Sequence, residues 1–334
     1  MTKEERITLA HGSGGGLSAK LINDTIRPFI NNNNMSTDDA ATVNLSGKLA
    51  FTSDSYVVSP IFFPGGDIGR LAVCGTVNDL TTAGATPKFL SLSFIIEEGF
   101  LVSDFERILQ SIKEGTEEAG VHVVTGDTKV VGKNACDGIF INTAGIGTID
   151  ENVSLSTKNI KKGDKIIVSG TVGDHGITIM SCRHELGFSG NLFSDVAPLK
   201  DMVAAALKIC PQISAMRDPT RGGIATALNE FSLACGYKIV IDEESVPIND
   251  SVRGACAMLG LDPYYVANEG KMLFVCPADK TQDVLLAIKK ENYGTNAAII
   301  GEVTEEGVGV SLRTPLGALR RLDTVFGELL PRIC

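Results

Sequence analysis

A polar stretch near the middle of the chain, residues 150–163, separates two halves of similar character. Each half combines segments with apolar residues at helical spacing and segments in which apolar and polar residues alternate, as in half-buried strands. The chain has 334 residues, more than the ~100–200 of a common single domain. The sequence therefore predicts an α+β fold of two domains, at residues 1–155 and 156–322, followed by a mobile tail at 323–334.

Periodicity and turn residues place the elements within these halves. Helices are predicted at 17–30, 69–85, 104–120, 176–184, 199–209, 222–235 and 282–291. Two strands joined by a turn at 46–48 are predicted within 41–59, and single strands at 89–97, 121–124, 138–149, 165–169, 238–242, 272–276 and 297–303.

The composition excludes several classes of partner. Hydrophobic residues make up 43% and charged residues 21%, which suits a globular protein with a sizeable core. The net charge of −10 argues against nucleic acid or an anionic membrane as a partner, because both attract a basic face. The chain has no apolar run long enough for a membrane span and no signal-peptide pattern. We expect a cytoplasmic protein.

The eight cysteines are scattered singly, without a CxxC pair, so a zinc site is not expected. Most of them are expected to be small buried apolar residues. Cys334 differs because it is the last residue. It does not form a prenylation signal, which needs three residues after the cysteine. Taken alone, Cys334 would be an ordinary chain end.

Aspartates recur at the ends of the predicted elements. Neither GxxxxGK[ST] nor a GxGxxG between strand and helix occurs, so the usual nucleotide signatures are missing. Carboxylates gathered at element ends suit Mg²⁺, which in turn binds the phosphates of ATP. Each aspartate could instead cap a helix or turn. The aspartates considered are Asp39, Asp54, Asp67, Asp79, Asp127, Asp174 and Asp218.

Other residues could serve the same site. The Gly-rich segment 11–16 could lay backbone N–H groups against phosphates, or be a flexible arm. Lys129 follows the turn at 126–128 and could stabilise a transferring phosphoryl group, or be a surface lysine. Glu269 could act as a base, or pair with Lys271. His175 is interpreted as a turn residue.

Two arginines surround a further aspartate. Arg217 and Arg221 flank the turn that carries Asp218 and precede a Gly-Gly pair. They could contact phosphate or pair with Asp218 itself.

Six motifs taken together resemble one family. They are FFPGGDIGRLAVCGTVNDL, GDTKVV, TVGDHG, RDPTRGG, YYVANEGK and the terminal PRIC. They resemble the HypE family of hydrogenase maturation proteins, within the PurM-like superfamily of aminoimidazole ribonucleotide synthetases, selenophosphate synthetases and thiamine-phosphate kinases. The resemblance runs from His11 to Cys334. The FFPGGDIGR segment and the PRIC end are its most particular features.

The resemblance implies a PurM-like homodimer whose N-terminal domains pair through strands into a β-barrel, with a sandwich-like C-terminal domain. It implies that ATP binds in a cleft between barrel and C-terminal domain. A carbamoyltransferase, HypF, would load a carbamoyl group onto the terminal cysteine, and ATP-dependent dehydration would give a thiocyanate. The cyano group would then pass to iron on a HypC–HypD scaffold for the NiFe centre.

With this resemblance the residues take roles. Cys334 would carry the substrate group, Lys129 would stabilise the transferring phosphoryl group, and Glu269 would take the amide proton. The residues that contact ATP would be Asp67, Arg70, Gly14 and Gly126, together with the ligands of Mg²⁺. The Mg²⁺ ligands would be Asp39, Asp54, Asp79, Asp127 and Asp218.

The tail would have to reach both a partner's site and its own cleft, with Gly327 as a hinge and Pro331 as a stiffener. The α-carboxylate beside the Cys334 thiol disfavours its ionisation, so Arg332 or a positive cleft would have to compensate.

Two alternatives remain open at this point. One is another ATP-dependent synthetase or kinase of the superfamily, for which a cysteine-ended tail has no use. The other is a carrier that presents Cys334 without ATP turnover, against which the acidic segments count.

Overall fold

A computed structural model of the chain describes residues 5–30, 40–183, 192–324 and 332–334. The N-terminal half contains the strands β1 (Lys48–Tyr56), β2 (Phe62–Phe63), β3 (Gly66–Asp67), β4 (Ala85–Glu97), β5 (His122–Val131) and β6 (Ile139–Ile149). β2 and β3 pair with each other, and the other strands form a four-stranded sheet in the order β1-β6-β4-β5. β4 and β5 are parallel, and the other neighbours are antiparallel.

Helices cover one face of this sheet. They are α1 (Gly15–Lys20), continued by a π-helical turn at Leu21–Ile26, then α2 (Ile68–Thr82) and α3 (Val102–Ala119). α2 is buried almost throughout and is rich in small residues, which let its neighbours approach closely. A Cβ added at Gly69 would lie 2.6 Å from the Ile108 carbonyl oxygen of α3. The small residues of α2 thus set the packing of the N-terminal core.

The other face of the four-stranded sheet is open and partly apolar. The residues of β1 alternate, and Phe51 on the open face is 73% exposed. Leu49 on β1 and Ile95 on β4 are exposed on the same face. A surface of this kind is typical of a protein–protein interface.

The C-terminal half contains the strands β7 (Lys165–Val168), β8 (Ala215–Arg217), β9 (Tyr237–Asp242), β10 (Leu273–Cys276), β11 (Ala298–Glu306), β12 (Val310–Arg313) and β13 (Leu319–Leu322). They form a seven-stranded sheet in the order β13-β12-β9-β11-β7-β10-β8. The helices are α4 (Asp174–Arg183), α5 (Lys200–Ile209), α6 (Gly223–Cys235), α7 (Asp250–Leu259) and α8 (Thr281–Ile288).

This sheet is buried on both faces. One core joins α6 to the strands, and a second core on the opposite face joins α5 and α8 to them. All residues of β10 are therefore fully buried, which matches its continuous apolar sequence. Within the described residues, no helix is both long enough and apolar enough to cross a membrane.

Most predicted elements are confirmed, with exceptions in both halves of the chain. Residues 41–59 were expected to form two strands, but only β1 forms, and 41–46 are irregular. The sequence patterns did not predict α7 or the short strands β2, β3, β8, β12 and β13. Of these strands, β8 pairs with β10, which is distant in the chain. Residues 150–163 hold only a 3₁₀ turn at Thr157–Asn159, between the two sheets.

Candidate active site

Four carboxylates converge where the two halves of the chain meet. Asp54 lies on the helix-covered face of β1, and Asp79 lies near the end of α2, where its carboxylate accepts a hydrogen bond from Thr52 of β1 at 2.9 Å. Asp218 follows β8, and Glu269 precedes β10. The chain order separates these groups widely, and the packing of α2 against β1 and β8 brings them together.

The pKa values of these groups show that they repel one another. Burial, and then the charge of Asp54, raises the pKa of Asp79. Burial, followed by the charges of Asp79 and Asp54, raises the pKa of Asp218 to about 7. Burial, Asp218 and other carboxylates raise the pKa of Glu269 well above its ordinary value. Such a cluster favours binding a cation, or holding protons until one arrives.

Glu269 is fixed by its backbone, while its side chain is unpaired. Its N–H donates to Asp195 Oδ1 at 3.0 Å, and Asp195 is in turn paired with Lys271 at 2.9 Å. The pairing of Glu269 with Lys271 that the sequence allowed is therefore not made. Glu269 is only 4% exposed, and within the described part of the chain its Oε1 has no hydrogen-bond partner. A buried, unpaired carboxyl group of this kind is suited to proton transfer.

The last three residues of the chain lie in the same cleft. The Val57 N–H donates to the Cys334 carbonyl at 3.2 Å, and the Ser59 N–H donates to the Arg332 carbonyl at 3.3 Å. This is antiparallel pairing with the segment that follows β1. Ile333 is 2% exposed and belongs to the N-terminal core. The prediction of a tail beyond the core is therefore wrong for residues 332–334; residues 325–331, with Gly327 and Pro331, lie outside the described residues.

The thiol of Cys334 is surrounded by acidic groups. Burial, followed by the charge of Glu269, raises its pKa to about 12, and Arg221 opposes this shift. Arg332 does not compensate, because it pairs with Asp137 at 2.6 Å and lies over the Phe140 ring. We call this position of residues 332–334 in the cleft the docked position of the tail. In the docked position, the Cys334 sulfur is therefore a neutral thiol.

Comparison with known proteins agrees with the motifs. Family models of AIR synthase related proteins match residues 37–149 (N-terminal domain) and 161–313 (C-terminal domain). Carbamoyl dehydratase HypE of Azotobacter vinelandii is 45% identical, over 98% of this chain and 97% of its own length. The carbamoyl dehydratase HypE of Escherichia coli is 44% identical, over 98% of this chain and 99% of its own length. The chain belongs to the HypE family of carbamoyl dehydratases.

Solved HypE structures share the fold. A HypE in complex with ATP superposes with a TM-score of 0.95 at 44% identity, covering 98% of this chain and 99% of the other. HypE in a HypE–HypF complex superposes with a TM-score of 0.81 at 46% identity, and the match covers 92% of this chain and 99% of the other. The thiamine monophosphate kinase of Aquifex aeolicus, at 22% identity and a TM-score of 0.62, covering 85% and 94%, shares the fold alone.

Part of the predicted HypE site lies elsewhere in the single chain. Asp127 and Lys129 are on β5, at the edge of the sheet opposite β1, and pair with each other at 2.6 Å. Their register with Ser93 and Ile95 of β4 puts them on the open face, whereas Asp54 faces the helices. Gly126 and Gly14 line a cavity of about 280 Å³ beside β5. One chain therefore does not bring these residues to the carboxylate cluster.

Two other predicted ATP contacts are engaged in the fold. Asp67 caps α2, accepting the N–H groups of Gly69 and Arg70 at 2.8 and 3.0 Å. Arg70 donates to Glu118 at 2.9 Å and to the Val196 carbonyl at 3.2 Å, and so links the two halves. Their contacts are structural. Asp39 lies outside the described residues.

Two further residues of the site were not assigned to it from the sequence. Asn78 donates to the carbonyls of Ala197 and Glu269 and accepts the Leu199 N–H, so it fastens α2 to the segment that carries Glu269. Asn78 directly precedes Asp79 in the VNDL motif, and this position could have identified it as a site residue from the sequence. His175, interpreted as a turn residue, instead lies in the first turn of α4 and contacts the tail; the TVGDHG motif contains His175 but does not indicate this contact.

No metal site is complete in the described ranges: nowhere in them do three or more His, Cys, Asp or Glu side chains converge closely enough to hold an ion. The donors of the carboxylate cluster are nevertheless all oxygens, and the charge of Arg217 offsets only part of the repulsion at Asp79 and Asp218. Oxygen donors with excess negative charge fit Mg²⁺ when phosphate oxygens supply the rest of its shell.

Proposed function

We propose that the chain uses ATP to convert an S-carbamoyl group on its own Cys334 into a thiocyanate, the source of a cyano ligand in NiFe hydrogenase maturation. One observation carries the proposal: the terminal thiol is docked among Asp54, Asp218 and Glu269, in the cleft between the two halves. Neither another synthetase nor a kinase would need its own C-terminus there.

The reaction needs activation because hydroxide is a poor leaving group. Transfer of the γ-phosphoryl group of ATP to the carbonyl oxygen of Cys–S–C(=O)–NH₂ makes phosphate the leaving group. Loss of the nitrogen-bound protons and departure of phosphate then give Cys–S–C≡N, with ADP and phosphate as products. Glu269 takes a proton, since its Oε1 is buried in the cleft without a hydrogen-bond partner among the described residues.

Glu269 must be ionised to act as this base. Burial and the neighbouring carboxylates raise the pKa of Glu269. Mg²⁺ accompanying ATP, held by Asp54, Asp79 and Asp218, would supply positive charge that offsets these carboxylates and the phosphates. Asp39 and Asp127 remain candidate ligands from outside this cluster. We infer that Glu269 becomes a base only when the nucleotide site is filled.

The tail must occupy two positions. A docked thiol with a pKa of about 12 is protonated at neutral pH and is a poor nucleophile. Carbamoyl loading by a HypF-like carbamoyltransferase therefore acts on the undocked tail, and dehydration follows after docking. The cyano group would then be delivered to a HypC–HypD scaffold.

The open face of the N-terminal sheet supports a homodimer. Phe51, Leu49 and Ile95 are exposed there, and β1 and β5 are its edges. Two such sheets facing each other would close a β-barrel and bury these residues. If β5 of one subunit meets β1 of the other, Asp127 and Lys129 lie beside the strand that carries Asp54 of the neighbouring subunit, and we propose that they contribute to its site across this edge.

The test is the mass of the C-terminal peptide after incubation with the carbamoyltransferase, carbamoyl phosphate and ATP. The proposal expects a carbamoyl group on Cys334 that loses one water only with hydrolysable ATP. A carbamoyl group that persists with ATP would instead support the carrier function. An unmodified peptide would mean that the ATP site serves another substrate.

Subunit sharing has its own test. Lys129→Ala and Glu269→Gln should each be inactive as homodimers. Mixed dimers of the two should regain part of the activity if the site combines residues of two subunits. Mixed dimers without activity would assign Lys129 and Glu269 to the same chain's site.

A further inference from the structure

His175 is fully buried, and both of its ring nitrogens are hydrogen-bonded. Nε2 lies 2.7 Å from the Ile333 carbonyl oxygen, and Nδ1 lies 2.7 Å from Ser194 Oγ. A carbonyl only accepts, so Nε2 carries the proton, and the Ser194 hydroxyl donates to Nδ1. Ser194 Oγ also accepts the Val196 N–H at 3.2 Å. These contacts define a single neutral tautomer, and burial, which lowers the pKa of His175, favours it.

The ring is held from both halves of the chain. Phe63 of β2 meets it edge-on, with the ring centroids 5.5 Å apart. The Ser194 N–H donates to the Pro64 carbonyl at 2.9 Å. The direction of the Nε2–H bond is thus fixed before the tail arrives.

The bond to the tail acts directly on Cys334. The Ile333 carbonyl belongs to the peptide group that joins Ile333 to Cys334, and an oxygen of the Cys334 α-carboxylate accepts the Val57 N–H. Cys334 is therefore bracketed by hydrogen bonds on both sides. Fixing the peptide group before Cys334 and the carboxylate after it fixes the direction in which the Cys334 side chain leaves the backbone.

The unit that holds His175 also holds Glu269. Ser194, which orients His175, is followed by Asp195, which accepts the Glu269 N–H at 3.0 Å. The start of α4 is tied to the same segment, because the Gly176 N–H donates to the Ala267 carbonyl at 3.0 Å. Tail and base are thus aligned by neighbouring residues of one rigid assembly.

We propose that His175 is a positioning residue for the dehydration: its Nε2–H holds the Ile333 carbonyl so that the group on Cys334 faces Glu269. This inference rests on the proposed function and adds to it the residue that sets the balance between docked and undocked tail. Loss of the bond has opposite effects on the two reactions of Cys334. Dehydration slows, while attack by external reagents on the freed thiol quickens.

The experiment compares His175→Phe with His175→Gln, in which the amide nitrogen can replace Nε2–H. His122→Phe is the matched control, because His122 is exposed at the start of β5. In the unloaded full-length proteins, the rate of iodoacetamide alkylation of Cys334 is followed on the C-terminal peptide. In protein carbamoylated with cyanate, the single-turnover loss of water is followed at saturating ATP.

We expect His175→Phe to alkylate at Cys334 about tenfold faster and to dehydrate at least about tenfold more slowly, the effect of one hydrogen bond with a buried partner. The ATP concentration that gives half of the maximal rate should stay within about twofold of wild type. The substitution weakens the docking of the tail about tenfold but leaves the ATP site unchanged. His175→Gln should recover most of both rates, and His122→Phe should match wild type.

Wild-type rates in both assays for His175→Phe would overturn the proposal, as would a parallel fall in both. If His175→Phe does not fold, Ser194→Ala removes the partner of Nδ1 and should shift both rates in the same directions. A wild-type protein that keeps its carbamoyl group in ATP would refute the proposed function instead, and the alkylation rates would still decide whether His175 holds the tail.

Discussion

The docking of the tail rests largely on Ile333, and its truncation gives a quantitative test. Ile333→Ala removes three carbons from a side chain that is 2% exposed in the N-terminal core. At about 0.8 kcal/mol per buried CH₂, the docked state loses roughly 2 kcal/mol, or about 30-fold in the docking equilibrium. A residue inside the domain would leave a cavity, but the tail can instead leave its groove. Global stability should therefore change little.

The assay is alkylation of Cys334, read from the mass of the C-terminal peptide. Because the docked thiol is neutral, the rate follows the undocked fraction of the tail. We expect Ile333→Ala to react roughly 30-fold faster than wild type, up to the limit set by a free peptide ending in Arg-Ile-Cys. Ile209→Ala, at an exposed position of α5, is the matched control and should react like wild type.

Two results would refute this reasoning. A wild-type protein that already reacts as fast as the free peptide would show that the tail is not docked in solution. A fall in the melting temperature of Ile333→Ala without faster alkylation would show that Ile333 supports the domain rather than the docking of Cys334.

Three further predictions concern the cleft and the open sheet face. Glu269→Gln should fold and bind ATP normally but dehydrate at least about a hundredfold more slowly, the usual contribution of a general base, measured by single turnover. Phe51→Asp should convert the proposed dimer into a monomer in light scattering, while an unchanged dimer would place the interface elsewhere. Asp218 has a folded pKa of about 7 against an ordinary 3.8, so its ionisation costs stability above pH 7 and nothing below pH 4. Asp218→Asn should therefore raise the melting temperature at pH 8 but not near pH 4, by calorimetry; equal effects at both would contradict this assignment.

The sequence was a good guide to local features of the site. Asp54, Asp79 and Glu269 each stand beside or within an element with a clear pattern, and the structure brings all three together with Asp218. The resemblance to HypE proteins depended on such motifs, which are continuous in the chain. It also drew attention to Cys334, which has no local signal of its own.

The same reasoning did not show on which face and edge of the sheet each residue lies. Asp127 and Lys129 have the same motif character as Asp54, yet the strand order β1-β6-β4-β5 sends them to the opposite edge and the opposite face. Strand order is decided by pairings between segments up to about a hundred residues apart, which a motif does not encode. Asp67 likewise carries the signature of a ligand but caps α2.

The sequence by itself determined the two-domain α+β class, the family, and the acidic and thiol groups available for chemistry. Tertiary structure decided which of these groups share a site and which protonation state each adopts. Asp218 and Cys334 acquire their raised pKa values only when folding removes water and places other carboxylates beside them. His175 and Ile333 are 158 residues apart, so their contact exists only in the folded chain. Packing brings side chains together and removes water from them. A sequence pattern can identify the residues involved, but it does not show which of them are in contact.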